Sequence, residues 1–269
     1  MSAMLILDAP APEECFVEQD QQMLFEAEPW HFWFRARNQL IGTVVQQLVS
    51  AWPAGYRVLE VGCGTGNVLQ VLERVCRAGQ VTGLDLLAHG LRYARQRTDC
   101  SLLRADIQSL PFGPSFRLCG LFDVLEHLPD DTDALQCLRR VLMPDGRLML
   151  TVPAYMHLWS HADEYARHYR RYTPGLLRAR LEENGFEVET LTHFMAPIDP
   201  VLWLGRRLAR WLPGAGQKNH REKFMQELRI HPLANTALYA LARCENWAIA
   251  RGLRPPLGAS LLAVARKVG

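Results

Sequence analysis

The chain has 269 residues, 49% of them hydrophobic and 22% charged, with a formal net charge of +2. This is the composition of one large globular domain, and it gives no reason to expect nucleic-acid binding, which usually needs a concentrated basic face. The seven cysteines are scattered without a CxxC pair, so we expect no disulfides. No apolar run reaches about 18 residues, so we expect no spanning helix. Because no leader-like segment is visible, we expect a cytoplasmic protein.

The first fifth of the chain is predicted to be helical after a flexible start. Residues 1–20 are rich in Pro, Glu and Gln and are predicted to be flexible. Residues 21–53 have apolar residues at roughly helical spacing, with a break at Pro29, and are predicted to form an N-terminal helical lid. The sequence Trp52-Pro53-Ala54-Gly55 is predicted to end this lid.

Residues 54–195 alternate between strand-like and helix-like segments. The strand-like segments are YRVLEV, QVTGLDL, CSLLRADI, RLCGLFDVLEH, RLMLTVPA and FEVETLTHF. One helix between them has Thr173 as N-cap, Pro174 at its first position and Gly185 at its end. The alternation predicts an α/β fold with a Rossmann-like, doubly wound, mostly parallel sheet.

Residues 196–257 are predicted to be a helical insertion, with candidate helices at about 199–212 and 233–252. Residues 258–269 would then supply the last strand of a seven-stranded sheet, in an antiparallel direction. The 199–212 segment mixes apolar residues with arginines and could lie on a membrane surface, although such a stripe more often packs on its own domain or on a second subunit. We expect a monomer or a homodimer.

A glycine turn follows the first predicted strand in VLEVGCGTGN, where the glycines are Gly62, Gly64 and Gly66. Glycines at these positions allow a tight turn and a close approach of ligand atoms to the backbone. Alone, the pattern fits dinucleotide dehydrogenases, flavoproteins and nucleoside-sulfonium binders equally.

Acidic residues near this turn narrow the choice of nucleotide. Glu60 would repel a pyrophosphate but attract an ammonium or a sulfonium. Asp85 follows Gly66 by 19 residues, where an acid can accept hydrogen bonds from ribose hydroxyls, unless it is a surface turn residue. Asp106 and Ile107 could hold an adenine, or Asp106 could be an N-cap.

These segments resemble the class I S-adenosylmethionine-dependent methyltransferases over residues 30–195. The phrases that carry the resemblance, in the order the family has them, are VLEVGCGTGN, GLDLL, RADIQSLPF, LFDVLEHLPD and LRRVLMPDGRLMLTVP. One departure is the MPDG turn, where the family often has Pro-Gly-Gly. The resemblance implies an S-adenosyl-L-methionine cofactor, and a methyltransferase in preference to an NAD-dependent oxidoreductase or a binding protein without methyl transfer.

Carried over by resemblance, most motif residues would contact the cofactor. Glu60 would meet the methionine ammonium, Gly62 and Gly64 the methionine portion, Asp85 the ribose, Leu86, Asp106 and Ile107 the adenine, and Asp123 the methionine end. The aromatic phrase WHFWFRARNQLI is similar to one bacterial subgroup of the family. It could form a lid that excludes water, with Trp33 touching a substrate and Arg37 or Arg35 the cofactor carboxylate, or it could be ordinary core.

The phrase LFDVLEHLPD has three open interpretations. Asp123, Glu126 and His127 come just past the end of a strand, where open α/β sheets bind ligands. His127 could be a general base, the three residues together could bind a divalent metal ion, as a similar phrase does in some relatives, or His127 could only support the loop.

The segment PAYMHLWSHADEYARHYRRYTP is unusually dense in polar and aromatic residues. It is either a substrate site on the C-terminal edge of the sheet or a salt-bridged surface loop. Its candidates for acid–base chemistry are His161, Asp163 and His168, and those for substrate binding are Tyr155, Arg170, Arg171 and Tyr172. The histidines favour methyl transfer to an oxygen of a small-molecule or lipid- or glycan-linked acceptor.

Overall fold

An eight-stranded sheet runs through the computed structural model, which describes residues 4–6, 18–196, 224 and 228–269. The strands are β1 (Met4–Ile6), β2 (Arg57–Val61), β3 (Gln80–Asp85), β4 (Ser101–Arg104), β5 (Phe116–Phe122), β6 (Leu142–Pro153), β7 (Phe186–Phe194) and β8 (Ser260–Lys267). Their order is β1-β4-β3-β2-β5-β6-β8-β7, and β8 alone runs antiparallel to its neighbours, as predicted for the last strand.

The strand β1 is an addition to the predicted seven. The sequence predicted a flexible stretch up to residue 20, yet Met4–Ile6 pair in parallel with Leu102–Arg104. Without β1, the backbone N–H and C=O groups on the outer side of β4 would lack a partner strand. A short segment can pair with them through its own backbone, whatever its side chains are.

Eight α-helices are described. They are α1 (Glu18–Ala27), α2 (Phe32–Val49), α3 (Leu69–Val75), α4 (Ala88–Ala94), α5 (Asp131–Val141), α6 (His161–Tyr165), α7 (Pro174–Glu183) and α8 (Pro232–Ala250). Buried apolar side chains cover both faces of the sheet, with Leu121 and Leu150 in one layer and Leu118 and Met149 in the other. No described helix is long and apolar enough to cross a membrane.

Helix α8 packs on α2 and caps its start. The Asn235 side chain accepts from the Phe32 backbone N–H at 2.7 Å and donates to the Trp30 carbonyl at 2.9 Å. The Asn246 amide donates to the Ala36 carbonyl at 2.8 Å. The helix predicted at 199–212, with its proposed membrane contact, lies outside the described residues.

The N-cap of α7 gives a first testable prediction. The Thr173 hydroxyl oxygen accepts from the Leu176 backbone N–H at 3.2 Å, and Pro174 fills the first helical position. We expect Thr173→Ala to lower the free energy of unfolding by about 1 kcal/mol, because one helix N–H loses its partner. Urea denaturation measures the change. Thr173→Ser keeps the hydroxyl and should stay close to the parent protein, so an alanine variant as stable as the serine variant would contradict the capping role.

Candidate active site

The predicted cofactor residues gather where β2, β3, β4 and β5 end. Because these four strands are parallel neighbours, their carboxyl ends meet at one edge of the sheet, which is where doubly wound sheets bind ligands. Three turns follow one another at this edge, one after β2 at Gly62–Gly66, one after β3 at Asp85–Leu87 and one after β5 at Asp123–His127.

The glycine turn is closely packed at Gly66 and open at Gly64. At Gly66 a Cβ atom would lie 2.9 Å from the Ala94 Cα, and its φ of +78° disfavours any other residue. At Gly64, apart from its two chain neighbours, no atom of the described residues lies within 4 Å of where a Cβ would be. The turn therefore presents a bare backbone to open space at Gly64, as a cradle for a ligand requires.

Asp85 fixes this turn from the end of β3. One of its carboxylate oxygens accepts from the Gly64 N–H at 2.7 Å and the other from the Leu87 N–H at 2.8 Å. Burial raises the pKa of Asp85, while the backbone N–H groups of Leu87, Gly64 and Leu86 oppose that rise. The residue is buried and so is not a surface turn residue.

Asp106 does act as an N-cap, the alternative considered from the sequence. It accepts from the Gln108 N–H at 2.9 Å at the start of a 3₁₀ turn over Ile107–Ser109. Ile107 is buried beside it. A carboxylate has further acceptor sites, so the cap leaves Asp106 able to receive another hydrogen bond.

Glu60 is a buried acid, and one of its carboxylate oxygens lacks a hydrogen bond within the described structure. It is 2% exposed, and its Oε2 has no hydrogen-bond partner among the described residues. Burial raises its pKa well above the usual range, Arg37 opposes the rise, and Asp85 and Glu28 add to it. A cation beside Glu60 would offset this cost, so the site fits the ammonium of an amino-acid ligand.

Arg37 and Asp123 bind each other in the structure. The Arg37 Nη1 lies 2.5 Å from the Asp123 Oδ2, and the guanidinium lies over the Trp33 ring at 4.8 Å. The sequence predicted that both residues would meet the cofactor separately. Helix α2 is thus tied by charge to the end of β5, beside Glu60.

The segment before α2 also reaches the glycine turn, through Glu28, a residue that the sequence did not single out. The Thr65 hydroxyl donates to the Glu28 carboxylate at 2.5 Å, and Arg97 pairs with the same carboxylate. The contact joins residues that are 37 positions apart, so no local pattern could have indicated it.

The residues after Asp123 form a 3₁₀ turn over Leu125–His127, in which the Glu126 side chain is buried. Glu126 is 1% exposed, and its Oε2 has no hydrogen-bond partner in the part of the chain that the structure describes. The His127 and His168 rings meet edge to face with 4.6 Å between centroids. One ligand atom from each of these three residues lies within 4.8 Å of the other two, so His168 takes the place of Asp123 in the predicted metal trio.

The titration of this cluster is dominated by burial. Burial, with the neighbouring His168, lowers the pKa of His127 to about 3, so its ring is neutral at pH 7. Burial, with the Asp123 charge, raises the pKa of Glu126 well above its usual range, although Arg171 and Arg37 act in the opposite direction.

Asp163 anchors the polar segment between β6 and α7 from within. It is 1% exposed and accepts from the Arg171 Nε and Nη2, each at 2.8 Å, from the His168 Nδ1 at 2.9 Å and from the Ser160 N–H at 2.7 Å. Although burial alone would raise the pKa of Asp163, the His168 and Arg171 bonds hold it well below its usual range. Asp163 therefore orients His168 and is not itself an exposed acid or base.

Three of the four predicted substrate contacts in this segment face inward. Arg171 donates to the Ala154 carbonyl at 3.1 Å in addition to its bonds with Asp163. Tyr172 has 0% exposure and donates to Asp131 at 3.0 Å, and Arg170 pairs with the same carboxylate at 3.1 Å. These contacts correct the prediction of a substrate role for Tyr172, because a fully buried side chain has no surface to offer.

The remaining predicted residues stay near the surface. Tyr155 is half-buried, with a φ of +58°, and its hydroxyl lies 2.8 Å from the His193 Nε2. The sequence analysis also missed His193, whose Nδ1 lies 3.1 Å from the Pro255 carbonyl. His161 is exposed, 3.6 Å from Glu164, and lies outside the Glu126–His127–His168 cluster.

The fold and the edge residues together define a nucleotide-binding α/β protein of the doubly wound class. Residues 32–191, more than half of the chain, match the model of a family described as a methyltransferase domain. The chain belongs to this family of methyltransferase domains, in agreement with the resemblance to the class I S-adenosylmethionine-dependent methyltransferases.

Individual relatives are similar over parts of the chain. It is 36% identical over 113 residues to a 2-phytyl-1,4-naphtoquinone methyltransferase of Thermosynechococcus vestitus, covering 39% of this chain and 50% of the relative. It is 31% identical over 160 residues to a ubiquinone biosynthesis O-methyltransferase of Xanthomonas axonopodis, covering 52% and 66%. The chain thus spans about half to two thirds of the length of these curated relatives.

Solved structures are similar in fold. The chain matches a Haemonchus contortus phosphoethanolamine N-methyltransferase 2, determined with S-adenosyl-L-methionine, with a TM-score of 0.59 and 17% identity. The match covers 96% of this chain and 59% of that one.

Proposed function

We propose that the protein transfers the methyl group of S-adenosylmethionine to a hydroxyl oxygen of a small-molecule or lipid- or glycan-linked acceptor. The observation that carries the proposal is the buried, unpartnered Oε2 of Glu60 next to the open backbone at Gly64. A dinucleotide would bring a pyrophosphate against this acid, whereas adenosylmethionine brings an ammonium and a sulfonium.

The cofactor contacts follow from the order of the strand ends. Glu60 binds the ammonium, the backbone at Gly62 and Gly64 lies along the methionine, and Gly66 lets the turn pack on α4. Asp85 keeps acceptor sites for the ribose hydroxyls beyond its two bonds to backbone N–H groups. Leu86, Asp106 and Ile107 surround the adenine. Asp123 and Arg37 close the methionine end as a pair.

An acceptor hydroxyl would lose its proton to His168. The His168 Nδ1 donates to Asp163 at 2.9 Å, so Nε2 is the nitrogen that is left to accept a proton. The bound cofactor supplies an electrophilic methyl group on sulfur. The acceptor oxygen forms the new bond to carbon as the bond to sulfur breaks, and positioning and exclusion of water account for most of the rate.

The names of the relatives support a quinone-type ring as the acceptor. One relative is an O-methyltransferase of ubiquinone biosynthesis, which favours an oxygen, whereas the name of the naphthoquinone methyltransferase specifies no acceptor atom. A phenolic hydroxyl is acidic enough to be deprotonated by one histidine, since its pKa is about 10.

The proposal is tested by calorimetry and then by turnover. We expect adenosylhomocysteine to bind to the protein and NADH not to bind. With labelled adenosylmethionine and a small-molecule extract, we expect adenosylhomocysteine and a labelled methyl ether to form. Tight NADH binding without adenosylhomocysteine binding would indicate an oxidoreductase, and cofactor binding without product in any extract would indicate a binding protein. A product that carries the label on carbon or nitrogen would overturn the oxygen acceptor.

A further inference from the structure

Glu126, His127 and His168 form a cluster of donor atoms that the proposed methyl transfer uses only in part. Glu126 and His127 come from the turn after β5, and His168 comes from the loop after α6. One ligand atom from each lies within 4.8 Å of the other two. Two imidazole nitrogens and one carboxylate oxygen are a donor set that binds divalent transition metals in proteins.

The groups behind the cluster hold the ligands in place. The Nδ1 of His168 is bonded to Asp163, which Arg171 holds in turn from two nitrogens. The His127 ring is hydrogen-bonded to the backbone of Ala166. Histidines that bind metals usually donate their other ring N–H to a carboxylate or a carbonyl in this way, which fixes the nitrogen that faces the ion.

Glu126 supplies an independent sign that a ligand is bound here. The residue is 1% exposed, and its Oε2 has no hydrogen-bond partner within residues 18–196 and 228–269 or the other described positions. A buried polar atom left without a partner costs about 1–3 kcal/mol, and more if it is charged. An ion within the cluster would remove that cost.

We propose that Glu126, His127 and His168 bind a divalent transition-metal ion of the Zn²⁺ type, which would hold the acceptor oxygen at an open coordination position. Mg²⁺ and Ca²⁺ fit less well, because they prefer oxygen ligands. Donors around a tetrahedral Zn²⁺ lie roughly 3.4 Å apart for bonds of about 2.1 Å, so the cluster closes by about 1 Å around the ion.

Metal binding itself does not depend on the proposed function. Only the contact between the ion and the acceptor oxygen rests on the proposed methyl transfer. His168 cannot bind the ion and accept a proton at the same nitrogen. With the ion in place, the acceptor hydroxyl loses its proton to water, because a bound Zn²⁺ lowers the pKa of an oxygen ligand.

The test measures metal binding without any acceptor. Tag-free protein is treated with a chelator, dialysed and titrated with Zn²⁺ by calorimetry and with Co²⁺ by visible absorbance. We expect one ion per chain, with the intense d–d bands of low coordination. His168→Ala and Glu126→Gln should each weaken binding by about 100-fold or more, since outer-shell groups alone contribute 10–100-fold. His161→Ala, which removes an exposed histidine outside the cluster, should bind as the parent protein does.

Absence of Zn²⁺ and Co²⁺ binding would overturn the site, and so would binding that survives both cluster substitutions. Titration of adenosylhomocysteine into the same samples keeps the two proposals apart. If the cofactor binds and the metals do not, the methyltransferase proposal stands without an ion and His168 remains the base.

Discussion

Replacing Asp163 with alanine lowers the free energy of unfolding by about 3–5 kcal/mol, which is the largest stability loss that we expect from a single substitution outside the apolar core. The carboxylate is buried and joins Arg171, His168 and Ser160. Its removal leaves the Arg171 charge buried without its partner. The free-energy cost of desolvating that charge is then no longer offset by an ion pair. Urea denaturation followed by circular dichroism measures the loss.

The neighbouring acid is a matched control for Asp163. Glu164 is exposed and pairs loosely with His161 at 3.6 Å, so Glu164→Ala should change stability by less than about 0.5 kcal/mol. If the two alanine variants unfold at the same urea concentration, Asp163 does not anchor the segment. Asp163→Asn tests the charge separately, since it keeps the shape of the side chain.

The contribution of Asp163 also has a definite pH dependence. Its pKa is depressed in the folded protein, so the stabilisation is complete above the unfolded pKa of about 3.9 and is lost as the pH falls through the folded value. The stability difference between the parent protein and Asp163→Asn should therefore be constant from pH 7 to about pH 5 and shrink below about pH 4. A difference that grows on acidification would contradict this.

The parts of the site that could be predicted from the sequence are the local ones. Gly62, Gly64 and Gly66 follow one strand directly, and Asp85 ends the next, so a pattern within 25 residues places them at the same sheet edge. The last strand was also predictable, because residues 258–269 combine an apolar run with a polar end.

The parts that were missed depend on contacts between distant residues. His168 contacts His127 from a separate loop. Asn235 of α8 caps helix α2, although it is 203 positions from Phe32 in the sequence. The sequence left open whether the segment before α7 is a substrate site or a salt-bridged loop. In the structure several of its charges pair with one another, Arg171 with Asp163 and Arg170 with Asp131. Composition cannot distinguish a network that faces inward from one that faces a substrate.

Replacing Asp85 with alanine should weaken adenosylhomocysteine binding by about 150-fold or more, the largest loss of affinity that we expect from one substitution. Hydrogen bonds to a charged group contribute about 1.5–3 kcal/mol each, and two ribose hydroxyls would lose one shared acceptor. The substitution also frees the Gly64 and Leu87 N–H groups that the carboxylate holds at 2.7 and 2.8 Å. The glycine turn would then have to be ordered by the ligand itself.

Two further variants separate these contributions to affinity. Asp85→Asn retains one acceptor oxygen and should lose less affinity than Asp85→Ala. Asp99→Ala removes an exposed acid one turn beyond α4 and should bind as the parent protein does. Calorimetry at 25 °C gives the affinities, and thermal melts show whether each variant is folded. A folded Asp85→Ala variant with unchanged affinity would mean that Asp85 serves only the turn, and the assignment of the ribose site would then be lost.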